Sequence, residues 1–331
     1  MSKIYLLTGA AGHLGRTVVE ELLRRGKKLR VLLLPGEKNI PSGDFEICYG
    51  DVRSKESLRP FFSNPNNDDM TVIHAAGIVS IASKHSQHVY DTNVMGTQNI
   101  VALCEEHGVE HLLYISSVHA IPIAEDGRTI TEVDEFDPSK THGLYAQTKA
   151  EATNAVLEAG RRGLRVNVLH PSGLIGPNDY GRGHMTAMVI DYLRGRLTAI
   201  IKGGYDFADV RDVASGILSC CKKGRPGECY ILSNRFVSVR ELVDLLHEIT
   251  GLKMIRRTLP LWFVRMTAPL AELYYKIRKS PPLFTPYSIE VLTSNANFSN
   301  EKAIRELDYK TRDIKSSLRD TVEWLTANGR I

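Results

Sequence analysis

Over roughly the first 170 residues the chain alternates short runs of apolar and β-branched residues with longer stretches whose apolar positions recur at helical spacing. The pattern predicts strands at 4–8, 29–34, 45–49, 71–75, 111–116 and 165–170. Helices are predicted between them at 14–25, 54–62, 89–107 and 144–162, with Ser54 as an N-cap. Each strand reads as a nearly unbroken apolar run, which is what a sheet covered by helices on both faces requires. Strand followed by helix, repeated, is the sequence form of an α/β fold with a doubly wound parallel sheet. Beyond Pro171 the alternation loosens into Gly- and Pro-rich loops, with strands predicted at 204–208 and 230–232 and helices at 211–221, 239–249 and 316–326. This divides the chain at a soft, interleaved boundary into residues 1–170, the wound-sheet unit, and residues 171–331, a smaller second lobe.

Composition narrows the functional classes. At 331 residues, with 43% hydrophobic and 24% charged positions, the chain is long enough for a sizeable core and too apolar for disorder. A net charge of +4 lacks the strong local basic excess expected of a nucleic-acid binder. Five cysteines without paired or CxxC spacing read as reduced thiols, and the N-terminus has no signal-peptide core, so a cytoplasmic location is expected. No apolar run is long enough for a membrane span. The histidines show no metal-binding spacing, so no metal is expected.

Candidate chemistry begins at Gly9-Ala10-Ala11-Gly12-His13-Leu14-Gly15, directly after the first strand and opening the first helix. Glycines there permit a tight turn and let a pyrophosphate approach the positive end of the helix. Further on, Tyr145 and Lys149 stand one helical turn apart on one face, so the lysine can bias the acid/base behaviour of the phenol. Ser117 lies at the carboxyl end of the fifth strand, the edge where open α/β sheets bind ligands.

These motifs and those that follow resemble the extended short-chain dehydrogenase/reductase family, also called the NAD-dependent epimerase/dehydratase superfamily. Gly50-Asp51-Val52, His74-Ala75-Ala76-Gly77, Asn93-Val94-Met95-Gly96-Thr97, Ser116-Ser117, Tyr145-Ala146-Gln147-Thr148-Lys149, His170-Pro171-Ser172-Gly173 and Asp209-Val210-Arg211-Asp212-Val213-Ala214 occur in the family's order. The resemblance spans nearly all of the chain and implies a Rossmann-type fold. It implies Ser117, Tyr145 and Lys149 as catalytic residues, Ser117 being favoured over Ser116 by register. It implies cofactor contacts from Gly9, Gly12, His13, Leu14, Gly15, Asp51, Val52, Ala75, Ala76, Gly77, Asn93, Pro171 and Ser172, with Tyr145 and Lys149 touching the cofactor as well. A homodimer through the Tyr145 helix is also implied.

At the end of the second strand, Leu34-Pro35-Gly36-Glu37-Lys38 lacks both the usual phosphate-binding arginine and the usual aspartate. Lys38 can pair with a 2′-phosphate and Glu37 can reach a ribose; the balance tips to NADP over NAD. Val118-His119 stands where dehydratases of the family carry an acidic pair, and Tyr205 where nucleotide-sugar epimerases carry an arginine. The chain therefore looks most similar to the dihydroflavonol-reductase and 3β-hydroxysteroid-dehydrogenase branch. The expected activity is NAD(P)-dependent interconversion of a carbonyl and an alcohol on a fairly apolar small molecule, with Tyr145 as general acid/base. A nucleotide-sugar epimerase with tightly held NAD is the alternative, and a non-catalytic dinucleotide sensor is disfavoured because Ser117, Tyr145 and Lys149 are all present. His119 reads either as a pocket residue or as a polar surface contact. Residues 259–292, rich in apolar and aromatic side chains and ending in Lys276, Arg278 and Lys279 before a proline-rich stretch, read as a packed helix pair, a substrate lid or a membrane-surface helix. Trp262, Met266, Tyr274, Tyr275 and Tyr287 are its candidate pocket residues.

Overall fold

The apolar runs form strands β1 (Lys3–Thr8), β2 (Lys28–Leu33), β3 (Glu46–Tyr49), β4 (Asp69–His74), β5 (His111–Ile115), β6 (Val166–Pro171), β7 (Gly173–Ile175), β8 (Ile200–Ile201), β9 (Gly204–Asp209), β10 (Cys229–Leu232), β11 (Arg235–Ser238) and β12 (Thr258–Leu259). This computed structural model describes residues 2–37, 40–80, 86–123, 127–181, 183–266 and 286–331. Seven strands make a wholly parallel sheet in the order β10-β6-β5-β4-β1-β2-β3. The order reverses between β1 and β4, so their carboxyl ends diverge into a crevice, the general ligand position of such sheets.

Burial follows the two-residue period of the strands. Ile4, Leu6 and Val72 face one core with Ile100, Ala150 and Val156; Tyr5, Leu7 and Ile73 face the other with Val18, Leu22, Val213 and Ile217. The first core is covered by helix Gly96–Glu106 and by helix Leu144–Arg161, the second by helix His13–Arg24 and helix Val210–Lys223. The last of these helices, together with β10, shows that the chain beyond residue 170 returns to the main sheet. A three-stranded sheet, β11-β9-β7, stands beside it. Ion pairs join the parts, each through a partly exposed arginine: Arg211 reaches the buried Asp209 and the half-buried Asp320, both at 2.7 Å, and Arg312 reaches the buried Asp212 at 3.0 Å.

Two predicted helices are less regular than their periodicity suggests. Ser54 does cap the helix Lys55–Leu58, accepting from the Ser57 amide, but from Arg59 to Phe62 the chain tightens into a 3₁₀ turn that contains Pro60. Along 89–107 the helix widens into a π segment at Asp91–Met95 before Gly96–Glu106. That wider turn accommodates the close approach of Val52, whose Cγ2 would lie 2.7 Å from a Cβ at position 96.

The first turn is the tightest point of the fold. Gly9 has φ +76°, and a Cβ there would lie 2.7 Å from the Ala76 amide nitrogen; a Cβ on Gly15 would lie 2.0 Å from the Gly9 carbonyl oxygen. Both obstacles are backbone, which no rotamer change relieves. Gly15→Ala is therefore expected to destabilise the protein by about 3 kcal/mol or more, the upper range for overpacking. An unchanged midpoint in denaturant titration would contradict this.

Candidate active site

The crevice between β1 and β4 is built around the glycine turn. The Gly12 amide donates to the Gly9 carbonyl at 3.1 Å, and the helix begins at the next residue with no acidic side chain in its first turn. Gly12 is exposed, and a Cβ there would touch only the Gly9 oxygen, at 3.4 Å. Its open side faces away from the protein, leaving backbone amides and a helix terminus free to hold a diphosphate. The residues thus fit a dinucleotide. Two neighbours offer their backbone alone: Leu14 is buried in the core, and His13 Nε2 donates to the Pro177 carbonyl at 2.9 Å, its ring held neutral by burial.

The opposite lip, after β4, is fixed by a one-way chain of hydrogen bonds. The Ala76 amide donates to Thr8 Oγ1 at 3.1 Å, Thr8 lies 2.7 Å from His74 Nδ1, His74 Nε2 lies 3.0 Å from Thr97 Oγ1, and Thr97 donates to the Asn93 carbonyl at 2.7 Å. Because the last oxygen only accepts, the proton of His74 sits on Nε2; burial pushes its pKa down to about 3, so the ring stays neutral. Asn93 completes the lip by accepting from the Ile78 amide at 2.8 Å and donating to the Ile78 carbonyl at 3.0 Å. A Cβ on Gly77 would lie 3.3 Å from Asn93 Oδ1 and 3.4 Å from Lys149 Nζ, so this glycine lets the strand end pass close to the ammonium. Asp51 is engaged differently from a free adenine ligand: Arg53 grips its carboxylate at 2.6 Å and holds its pKa below the usual range, while Val52 is buried near Gly96.

At the end of β5 the two serines diverge. Ser116 Oγ lies 2.8 Å from Thr153 Oγ1 inside the helix packing, whereas Ser117 Oγ accepts from the His119 amide at 3.2 Å and hydrogen-bonds toward Tyr145. The Ser117 carbonyl receives a bond from His170 Nδ1 at 2.9 Å, with the His170 ring stacked on Phe136. Tyr145, in the first turn of helix Leu144–Arg161, is buried, and desolvation pushes its phenol up to about 12. One turn on, Lys149 donates to the Ile115 carbonyl at 2.7 Å and to the Tyr114 hydroxyl at 3.3 Å; burial without a carboxylate partner lowers it to about 7. Pro171 ends β6, and Ser172 is buried against Asp206, whose carboxyl burial raises to about 6. The hydroxyl of Ser172 thus turns toward β9. Lys38 lies outside the described residues.

Beside Tyr145 opens a cavity of about 240 Å³. Val118, Ile121, Ile123, Val291 and Phe298 form apolar walls, and Lys140, His142 and Glu290 stand at its rim. His119 belongs to this cavity rather than to the surface: its ring stacks on Tyr205 at 5.4 Å, its Nε2 shares a hydrogen bond with the Tyr205 hydroxyl at 3.1 Å, and burial pushes its pKa down to about 4. Trp262 and Met266, expected at the pocket, instead face solvent at 67% and 62% exposure. Helical spacing turns them away because Val264 and Leu261 take the inward positions against Ile201 and Ile289. Tyr274, Tyr275 and the Tyr287 side chain lie outside the described residues. Sequence reasoning missed Tyr114 and gave no role to Thr97 and His170 within their motifs; each is an internal strand or helix residue whose contacts join segments far apart in the chain. Among the described residues no group of three metal-binding side chains occurs.

Residues 5–233 match the family model described as the NAD dependent epimerase/dehydratase family. The chain belongs to that family. Sterol demethylase protein B of Methylococcus capsulatus is 29% identical, over 98% of this chain and 99% of its own length. The mouse 3 beta-hydroxysteroid dehydrogenase type 7 is 28% identical, over 98% and 96%. The crystal structure of gox2253 superposes with a TM-score of 0.85 at 27% identity, covering 99% of both chains. The protein is an NAD(P)-dependent oxidoreductase of the epimerase/dehydratase type. No helix among its described residues is long and apolar enough to cross a membrane.

Gly12→Val is expected to leave the fold intact and to abolish dinucleotide binding, because the branched side chain would fill the open face of the turn. Calorimetry on a folded variant checks this, and unchanged affinity would contradict it. The buried lysine has a pH signature. Its pKa is about 7 in the folded chain and near 10.4 when unfolded, so between those values the unfolded state binds the extra proton and stability rises with pH. Lys149→Met is expected to gain thermal stability relative to wild type as the pH falls from about 10 to about 7, and no more below that. A difference in Tm that is flat with pH would count against it.

Proposed function

We propose that the protein interconverts a carbonyl and an alcohol on a fairly apolar small molecule, with Tyr145 as the proton-transferring group. The observation that carries this reading is the cavity beside Tyr145: Val118, Ile121, Ile123, Val291 and Phe298 give it apolar walls, Thr141, Ser294 and Asn295 add uncharged polar groups, and Lys140, paired with Asp137, stands with His142 at the exposed rim. Tyr205 packs between His119, Phe207 and Phe298. It occupies the place from which an arginine would reach a nucleotide-sugar diphosphate. A diphosphate in this cavity would lose its hydration without gaining a buried cation, a cost of several kcal/mol per charge. An apolar substrate meets no such cost, and the names of the sterol demethylase and hydroxysteroid dehydrogenase relatives point the same way.

In this reading, residues 1–170 hold the dinucleotide, and residues 171–331 close the cavity through Tyr205, Val291 and Phe298. When bound, the nicotinamide supplies or accepts the hydride. The chain's residues handle the proton. In the reducing direction the Ser117 hydroxyl holds the substrate oxygen and Tyr145, protonated at neutral pH, donates to it. Lys149, near its own midpoint at pH 7, stabilises the phenolate that remains whenever it is charged. Burial that raises Tyr145 makes it a weak acid by itself, so the lysine's proximity is required for turnover.

Tyr145→Phe is expected to lower kcat by about 10² to 10⁴ while leaving cofactor affinity nearly unchanged, because only the transferable proton is removed. The assay is a panel of hydrophobic ketones, aldehydes and sterols beside UDP- and dTDP-sugars, each with both nicotinamide cofactors. Turnover confined to the nucleotide sugars, or a Phe variant above half of wild-type kcat, would overturn the reading.

A further inference from the structure

Ser117 takes its orientation from the turn that follows it. The chain passes from β5 into a short 3₁₀ turn, Val118–Ala120, capped by Ser117: its Oγ accepts from the His119 amide at 3.2 Å, and its carbonyl accepts from the Ala120 amide at 3.0 Å. His170 Nδ1 donates to the same carbonyl at 2.9 Å. A hydroxyl oxygen that accepts an amide hydrogen directs its own proton elsewhere, and here the hydrogen bond runs toward Tyr145. The aim of the Ser117 hydroxyl is therefore only as well defined as the placement of residue 119.

Residue 119 is placed from outside the main sheet, by β9. The His119 ring stacks on Tyr205 with 14° between the planes, and the hydrogen bond between Nε2 and the Tyr205 hydroxyl fixes its rotation as well as its position. The imidazole also meets the Tyr145 ring edge to face, at 5.9 Å, so one side chain touches the wall of the cavity and the phenol together. Tyr205 is itself buried and held edge-on by Phe207 at 6.1 Å and Phe298 at 6.2 Å. Burial keeps the imidazole neutral around pH 7, so its bond to Tyr205 persists there.

We infer that Tyr205 is a positioning residue for the proton-transfer step: through His119 it fixes the Ser117 hydroxyl against Tyr145, so that β9 acts on the rate of the reaction and not only on the shape of the cavity. This rests on the assignment of Ser117 and Tyr145 to the substrate oxygen. It holds for either class of substrate, because an apolar carbonyl compound and a nucleotide sugar both need that hydroxyl in place.

Tyr205→Phe, His119→Phe and the double variant keep an aromatic ring at each position and remove the hydrogen bond between them; thermal melts verify that each is folded. Kinetics are read on whichever substrate of the panel wild type turns over, hydrophobic carbonyl or nucleotide sugar. Both single variants are expected to lose about tenfold or more in kcat with KM within about twofold of wild type, since misplacing a reacting group costs rate rather than binding. The double variant is expected to lose no more than the worse single one, because both substitutions remove the same bond. Without substrate, hydrogen exchange followed by NMR on isotope-labelled histidine is expected to show the His119 amide exchanging about tenfold faster in Tyr205→Phe than in wild type. A KM that rises while kcat holds, losses that add in the double variant, or an unchanged His119 amide would each overturn the inference and leave Tyr205 a wall of the cavity. Which class of substrate is turned over decides the oxidoreductase reading separately.

Discussion

The site depends on one constraint, an ammonium buried without a carboxylate. Lys149 is 5% exposed, and its described partners are a β5 carbonyl and a tyrosine hydroxyl. Desolvation lowers its pKa to about 7, which puts it near its midpoint at neutral pH. To hold it there, the structure must place the end of β5, the phenol of Tyr114 and the glycine at position 77 within a few ångströms of one helix position. Each of those requirements fixes a neighbour. The end of β5 sets Ser117, the helix sets Tyr145 one turn earlier, and the loop at Gly77 is anchored by Asn93.

The neutral histidines serve that arrangement. His74 and His170 are buried and His119 is half-buried, all three with depressed pKa values, and each joins segments distant in sequence. His74 couples β1 to the helix that carries Asn93, His170 couples β6 to the Ser117 carbonyl, and His119 couples the loop after β5 to Tyr205 on β9. A neutral imidazole can donate on one side and accept on the other. It therefore suits the interior between two elements, where a charged side chain would need a counterion.

Division of labour between the two parts of the chain follows from the sheet. The main sheet supplies the glycine turn, the serine and the Tyr145 helix at its carboxyl edge. β9 and the C-terminal segments supply Tyr205, Val291 and Phe298 to the cavity wall. Because β10 and helix Val210–Lys223 complete the main sheet and its covering layer, the two parts share a core, and the cavity walls inherit its rigidity.

Much was legible in the residues themselves. Period and apolar content determined the doubly wound α/β architecture and placed most strand ends to within a residue or two, since a parallel sheet needs unbroken apolar runs and its helices need amphipathic ones; that residues 229–232 add a seventh strand to the main sheet was decided by packing. The glycine spacing and the Tyr145 to Lys149 interval were equally readable, being set by turn geometry and helical pitch. The outward face of Trp262 and Met266, the stacking of His119 on Tyr205 and the capture of Asp51 by Arg53 were decided only in three dimensions. An apolar stretch specifies that something is buried but not which of its residues turn inward, and a charged side chain's partner depends on which segments the sheet brings together. Local periodicity belongs to the sequence; solvent exclusion and the pairing of polar groups belong to the packed structure, and at this site they raise the pKa of Tyr145 and lower that of Lys149.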